Sequence, residues 1–444
     1  MSTQVVTKPQ VSYLTQLLDR VRESQPTIDR PWLAQLRDRA EAWTRELAIP
    51  TTRDEDWRFT DLSPLLELDF KTAEAIELPE NMASELTLPE TKDTRLVFVN
   101  GVFSKARSSV KGLPEGAIVG NLGDPRLEDL KSYLGQQPGS QEVFTALNTA
   151  SLTDAAIVWI PKGKIVETPI QLLFVSAPQE TPTISQSRCL VVAEANSSVT
   201  FVQQFVSTTI GCPDAGNRPY LTNAVTEIFV GDNAEVNHTY LQREGGAAFH
   251  IAKTAVSQAK DSRYTCNAIG LGAKLSRHNL EVFQTGTGTQ TTLDGLAMLS
   301  GEQTADTHSA IVLDRPHGSA DQLHKCIIDG KAHAVFNGRI FVSKAAQMTN
   351  ANQLNQNLLL SPKGRVNTKP QLEIIADNVK CSHGATVSQL EADEVFYLQS
   401  RGLDKTQSEN LLVDAFAFDI LQRLPIASLR KMLSQCVSCR TYTA

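Results

Sequence analysis

The chain has 444 residues, a net charge of −7 and 20% charged residues. That is ample length for a large core, and the acidic balance argues against nucleic acid as the main partner. No apolar run reaches the roughly 18 residues a membrane helix needs, and MSTQVVTKPQ at the start lacks the charged and apolar regions of a signal peptide.

Residues 1–80 predict a helical region. Val11, Leu14, Leu17, Leu18 and Val21 recur at helical spacing, as do Trp32, Leu33, Leu36, Ala40, Trp43 and Leu47 behind Pro31, which suits a first helical turn. The charged stretch PTTRDEDWRFTDL (Pro50–Leu62) reads as a junction docked by Trp57 and Phe59. Residues 81–387 predict a β core with its lead-in strands. Short β-branched runs such as Thr94–Val99, Ala155–Ile160 and Ile170–Val175 come first. From about residue 188 nearly everything reads as strand, with turn formers at Gly231-Asp232-Asn233, Asp294-Gly295, Asp329-Gly330 and Asn337-Gly338. No crossover helix separates these strands, which excludes a βαβ fold. An antiparallel sandwich or barrel and a parallel β-helix both fit. About a dozen strands in one run is many for a sandwich, whereas a β-helix grows coil by coil. The amide-rich NANQLNQN (Asn350–Asn357) suits stacked corners or a polar loop.

Residues 388–444 predict a second helical region. Ser388 with Glu391 forms a candidate capping box for a helix ending near Arg401 and Gly402, and Asp404 with Gln407 marks a second start. Such helices would seal the end of a coil or offer an apolar face to another protein.

Seven cysteines, Cys189, Cys212, Cys266, Cys326, Cys381, Cys436 and Cys439, are odd in number and thinly spread. They predict reduced thiols and a cytoplasmic location. Cys381 and His383 stand two apart in VKCSHGAT, so on a strand they would share a face, and both can bind soft or borderline metals. His324 and Cys326 repeat that spacing, and Cys436 and Cys439 form a single C-x-x-C. No phosphate-binding G-x-x-x-x-G-K-[ST] loop, G-x-S-x-G elbow or H-E-x-x-H motif is present, so no catalytic residue is assigned. A carbohydrate-active β-helix enzyme would need clustered carboxylates, which the spacing does not provide.

Three blocks resemble the SufB/SufD family of iron–sulfur cluster assembly proteins: Asp306–Gly338, Met348–Gln371 and Leu372–Gly402, together with Ala415–Phe418. PTTRDEDWRFTDL resembles the SufD branch. The resemblance implies a mainly β fold, a right-handed parallel β-helix flanked by N-terminal and C-terminal helical regions. It implies a non-enzymatic scaffold subunit that pairs with a SufB-like subunit, binds a SufC-like ABC-type ATPase, supports cluster formation and iron acquisition, and forms a homodimer when isolated. His383 and Cys381 match the C-S-H block, which places them at the cluster-assembly interface. His383 would then be a transient metal ligand shared with the partner. Ser388, Glu391, Phe396, Tyr397, Arg401, Asp404 and Phe418 fall in the region that meets the ATPase. No cluster held stably by the isolated chain is expected, since one His and one Cys are an incomplete ligand set. A purely structural adaptor without metal contact is the alternative.

Overall fold

Strands that alternate inward and outward, joined by turns and no helices, stack as a coil, and the chain does this. The computed structural model describes residues 8–23, 28, 30–127, 129–208 and 217–442; Cys212 and residues 1–7 lie outside them.

Eight helices frame the coil: α1 (Lys8–Glu23), α2 (Pro31–Glu46), α3 (Ser63–Leu66), α4 (Glu80–Glu85), α5 (Val143–Ala150), α6 (Ala392–Ser400), α7 (Lys405–Leu421) and α8 (Ala427–Tyr442), among the described residues. The lead-in strands are β1 (Lys71–Thr72), β2 (Thr94–Val99), β3 (Val102–Phe103), β4 (Ser109–Val110) and β5 (Ile118–Asn121). The coil begins with β6 (Ala156–Ile160), β7 (Ile170–Ser176), β8 (Thr183–Ala193), β9 (Ser198–Ser207) and β10 (Tyr220–Val230). It continues with β11 (Glu235–Arg243), β12 (Ala248–Gln258), β13 (Arg263–Gly270), β14 (Leu275–Gln284), β15 (Gln290–Leu299) and β16 (Thr304–Leu313). It ends with β17 (Ser319–Ile328), β18 (His333–Val342), β19 (Asn350–Leu359), β20 (Arg365–Ile374) and β21 (Lys380–Gln389).

Even-numbered strands from β6 to β20 form one parallel sheet and odd-numbered strands from β7 to β21 the other. The fold is thus a mainly β parallel solenoid flanked by N- and C-terminal helices. Its lumen is packed by Phe201, Phe205, Val256, Tyr264, Ile311 and Ile340. The outer face of the even sheet is covered by the N-terminal helices and α5, with Leu14, Leu18, Leu65 and Leu147 on Leu221, Phe249 and Leu275. Pro31 opens α2 as expected.

The C-terminal helices do not seal the end of the coil. Val413, Ala417, Ile420, Leu429 and Leu433 of α7 and α8 pack on Leu241, Ile269, Leu296 and Ile327 of the odd sheet's outer face. That face is itself apolar, so the helices' apolar sides are buried along the flank. The two ends therefore differ. At the first, the short strands β3, β4 and β5 add antiparallel to β2 and β6. At the last, no strand among the described residues pairs beyond β20 or β21.

Three sequence expectations are corrected. Asp294-Gly295 and Asn337-Gly338 are not turns but lie within β15 and β18. A Cβ at Gly295 would collide with the His324 imidazole, and one at Gly338 with the Gln353 amide. Glycine there makes room for a polar neighbour. NANQLNQN is strand β19, not a corner or a loop. Its alternate amides Gln353, Asn355 and Asn357 are buried in the lumen, and Gln353 bonds up the ladder to Gln322 at 2.8 Å. Finally, Ser388 belongs to β21. Its register with Leu358 of β19 keeps it extended, and α6 starts after Glu391, which makes no side-chain cap.

Gly295→Ala is expected to lower stability by about 1–3 kcal/mol, as for overpacking, although Gly→Ala in an open strand would raise it. Denaturant titration reads the sign directly.

Candidate functional site

At the last coil Cys381 stands opposite Ala351 and His383 opposite Gln353. Ala351 and Gln353 are buried lumen positions, so Cys381 and His383 share the lumen face of β21. Cys381 is half-buried against the inner core, and burial pushes its thiol up from the usual range. His383 is exposed because no further rung among the described residues covers it. Ser382 turns the other way and donates to Asn352 Oδ1 at 2.8 Å.

On the even sheet the free edge is β20. Arg365 N donates to Ala332 O and Ile375 N to Val342 O, so odd-numbered backbone groups face β18 and even-numbered ones face outward from the sheet. Pro370 is one of the latter, and its missing N–H is tolerated only on such an edge.

Beside this end, α6 buries only Val395. Phe396 is 71% exposed, Tyr397 56%, and Phe418 on α7 56%. The Arg401 guanidinium sits 5.2 Å from the Tyr397 ring centre. Gly402 takes a positive φ of 99° and stops the helix. Asp404 Oδ1 accepts Gln407 N at 2.8 Å while Gln407 Oε1 accepts Asp404 N at 3.0 Å, the expected capping box. Ser388 near the end of β21 and Glu391 just before α6 are both exposed. The base of α7 is pinned to the odd sheet by Lys325–Asp419 and Arg423–Asp294, each 2.9 Å.

The lumen histidines serve as packing aromatics. His238 stacks on Phe201 at 4.4 Å, His278 on Tyr240 at 4.0 Å and His324 on Phe336 at 5.1 Å. Burial pulls His238 down to about 3 and His324 to about 4, and pushes the Cys266 and Cys326 thiols up to about 12. His324 and Cys326 do share a face, but as neutral, enclosed groups. Cys436 packs beside α7 while Cys439 is exposed. Among the described residues no three His, Cys, Asp or Glu side chains gather so as to hold a metal ion.

One assembly was not foreseen. The strap Pro50–Leu62 lies across the even sheet. Trp57 covers Arg277 at 3.8 Å, and Arg277 pairs with Asp306, which also accepts from Thr60. His308 Nε2 lies 3.0 Å from Asp306 Oδ1, and Glu55 reaches Lys369 on the edge strand at 2.7 Å. The signal was the mix of charges around Trp57, whose partners lie more than 200 positions away.

Fold and site define a β-solenoid scaffold with one raw end and an exposed aromatic helix pair beside it. Residues 174–416 match the family described as SUF system FeS cluster assembly, SufBD core domain, and residues 10–172 match the SufBD protein N-terminal region. The chain belongs to the SufBD family. It is similar to an iron–sulfur cluster assembly SufBD family protein of Synechocystis, 50% identical over 399 residues, covering 89% of this chain and 88% of that one. A chloroplastic Arabidopsis protein, ABCI7, is 35% identical over 431 residues, covering 95% and 89%. The iron–sulfur cluster assembly protein SufD of Escherichia coli is 30% identical over 389 residues, covering 87% and 88%. Within that family the chain is a scaffold for iron–sulfur cluster assembly. Among the described residues no helix is long and apolar enough to cross a membrane.

Proposed function

We propose that this chain is the SufD-type subunit of a cytoplasmic SUF assembly and serves there as a structural adaptor. Its raw coil end docks a SufB-like subunit, and its α6–α7 face docks a SufC-like ATPase. What supports the reading is one contrast: the first end of the coil is covered by short antiparallel strands, whereas among the described residues no strand pairs with the edges of β20 and β21 at the last. Long free edges are rarely left so in a protein that works alone. The SufD branch is supported by the SufD names of relatives in Escherichia coli and Bacillus subtilis.

A second reading adds transient cluster contact. It is favoured by Cys381 and His383 sharing the lumen face at the docking end. Two ligands of the four a cluster usually takes leave the partner to supply the rest, and the cluster is then cargo, not a resident group. The two readings separate in the reconstituted complex. Cys381→Ser and His383→Ala leave iron and sulfide content unchanged if the chain is only an adaptor, and lower it if these residues touch the cluster.

Phe396→Ala with Tyr397→Ala tests the ATPase face. Both side chains are mostly exposed, so stability should move by less than about 0.5 kcal/mol. Co-purification of the ATPase subunit should drop severely. Undiminished co-purification would move the contact elsewhere.

A further inference from the structure

The strap leaves a basic groove on the outer face of the even sheet. Trp57 and Thr60 hold the strap to Arg277 and Asp306. Arg58 and Phe59, between those two anchors, are exposed. They line a groove of about 430 Å³. Its floor is one row of the ladder: Leu275, Thr304, His333 and Arg365, the first residues of β14, β16, β18 and β20, stand opposite one another in register. Lys274, just before β14, also lines it, with Nζ 5.8 Å from the centre of the Phe249 ring.

Three cations, Arg58, Lys274 and Arg365, thus meet in one groove of a chain whose net charge is −7. Among the described residues none of the three has an ion-pair partner. The two carboxylates that line the groove are engaged elsewhere. Asp61 accepts Ser63 N at 2.9 Å and Ser63 Oγ at 2.7 Å, and Glu302 pairs with Lys331 at 2.9 Å. Glu302 also attracts Lys274, and Glu55 of the strap attracts Arg58, but Glu55 is bonded to Lys369 at 2.7 Å. His333 Nε2 bonds Asn367 Oδ1 at 2.7 Å, which occupies that acceptor and leaves Asn367 Nδ2 as a donor. What remains to meet a ligand is positive charge and N–H groups. Gathering like charges works against the fold unless an anion neutralises them.

We propose that this groove binds a small organic polyanion, a compact molecule with two or more phosphate or carboxylate groups. Arg58 on the strap and Arg365 on the sheet supply forked donors that match such oxyanions, and Lys274 supplies a point charge. The Phe59 ring, 38% exposed, gives the carbon frame an apolar wall. The volume lies in the range of small-molecule sites, roughly 300–1,000 Å³. The groove is open in the single chain, so binding there stands apart from how the last coil docks a partner.

The test is calorimetric titration of the purified full chain at constant ionic strength with two probes, citrate for carboxylates and phosphoenolpyruvate for a phosphate. At least one should bind saturably with a Kd below about 1 mM, and the preferred probe tells which oxyanion is recognised. Arg58→Gln, Lys274→Gln and Arg365→Gln should each weaken binding about tenfold. All three side chains are exposed, so the melting temperature of the unliganded chain should hold or rise as repulsion is relieved. Lys363→Gln removes an exposed lysine two positions before Arg365 that does not line the groove, and should leave binding intact. No saturable binding of either probe overturns the site, as does binding that survives all three substitutions. Equal loss with Lys363→Gln, or sulfate bound as tightly as either probe, would mean an adventitious ion only and overturns it too.

Discussion

Glu227→Ala will destabilise the chain by about 3–5 kcal/mol, read as a fall in the urea midpoint with the slope unchanged. Glu227 and Arg188 form an ion pair beneath α5, and both side chains are almost wholly buried. The carboxylate also accepts Gly135 N at 2.9 Å and Gln137 N at 3.2 Å. The guanidinium donates to Asn148 Oδ1 at 3.2 Å and Thr149 Oγ1 at 3.0 Å. One pair therefore ties β8 and β10 to α5 and to the loop before it. Removing the carboxylate strands a buried cation and two backbone donors, which is why the loss exceeds that of an ordinary hydrogen bond. Arg188→Met combined with Glu227→Gln removes both charges and keeps an acceptor. It should recover most of the loss, and a double variant as unstable as Glu227→Ala would refute the electrostatic account.

Asp294→Asn should act in the opposite direction. Asp294 lies buried on the odd sheet at the foot of α7, where desolvation pushes its carboxyl up to about 6 despite Arg423 at 2.9 Å. Asp321 and Asp419 add like-charge repulsion. A folded value above the unfolded 3.8 means that the folded state holds the proton more tightly. The stabilisation is then complete below about pH 4 and is lost as pH rises through about 6. The ionised group costs about 3 kcal/mol at neutral pH, at about 1.4 kcal/mol per pH unit. Asp294→Asn should raise stability at pH 7.5 by an amount of that order and leave it nearly unchanged at pH 4. Urea midpoints at the two pH values check both. Equal effects at both would mean that the Arg423 contact, not desolvation, governs the site.

The coil was legible because its cause is local. Period-two alternation and turn residues recur from β8 to β20, and nothing between them is periodic enough for a helix. Long-range causes were not legible. Gly295 and Gly338 looked like turns because the side chains that need their space, His324 and Gln353, belong to the next strand in the same sheet or to the facing sheet. Ser388 looked like a cap because Ser-x-x-Glu is a local signal, while the ladder to β19 that overrides it is not. The candidate ligands Cys381 and His383 were placed on one face by spacing alone. That the face lies in the lumen of an uncovered coil depends on the whole stack. Pro370 carried the missing clue, since a proline within a strand argues for an edge.

The unlike ends of the coil bear on how large an assembly can grow. A solenoid raw at both ends would add copies head to tail without limit and form fibres. Here β3, β4 and β5 stopper one end. Pairing through the other, as proposed, would leave among the described residues only the short edges of β3, β4 and β5, so strand-to-strand association would halt at two subunits.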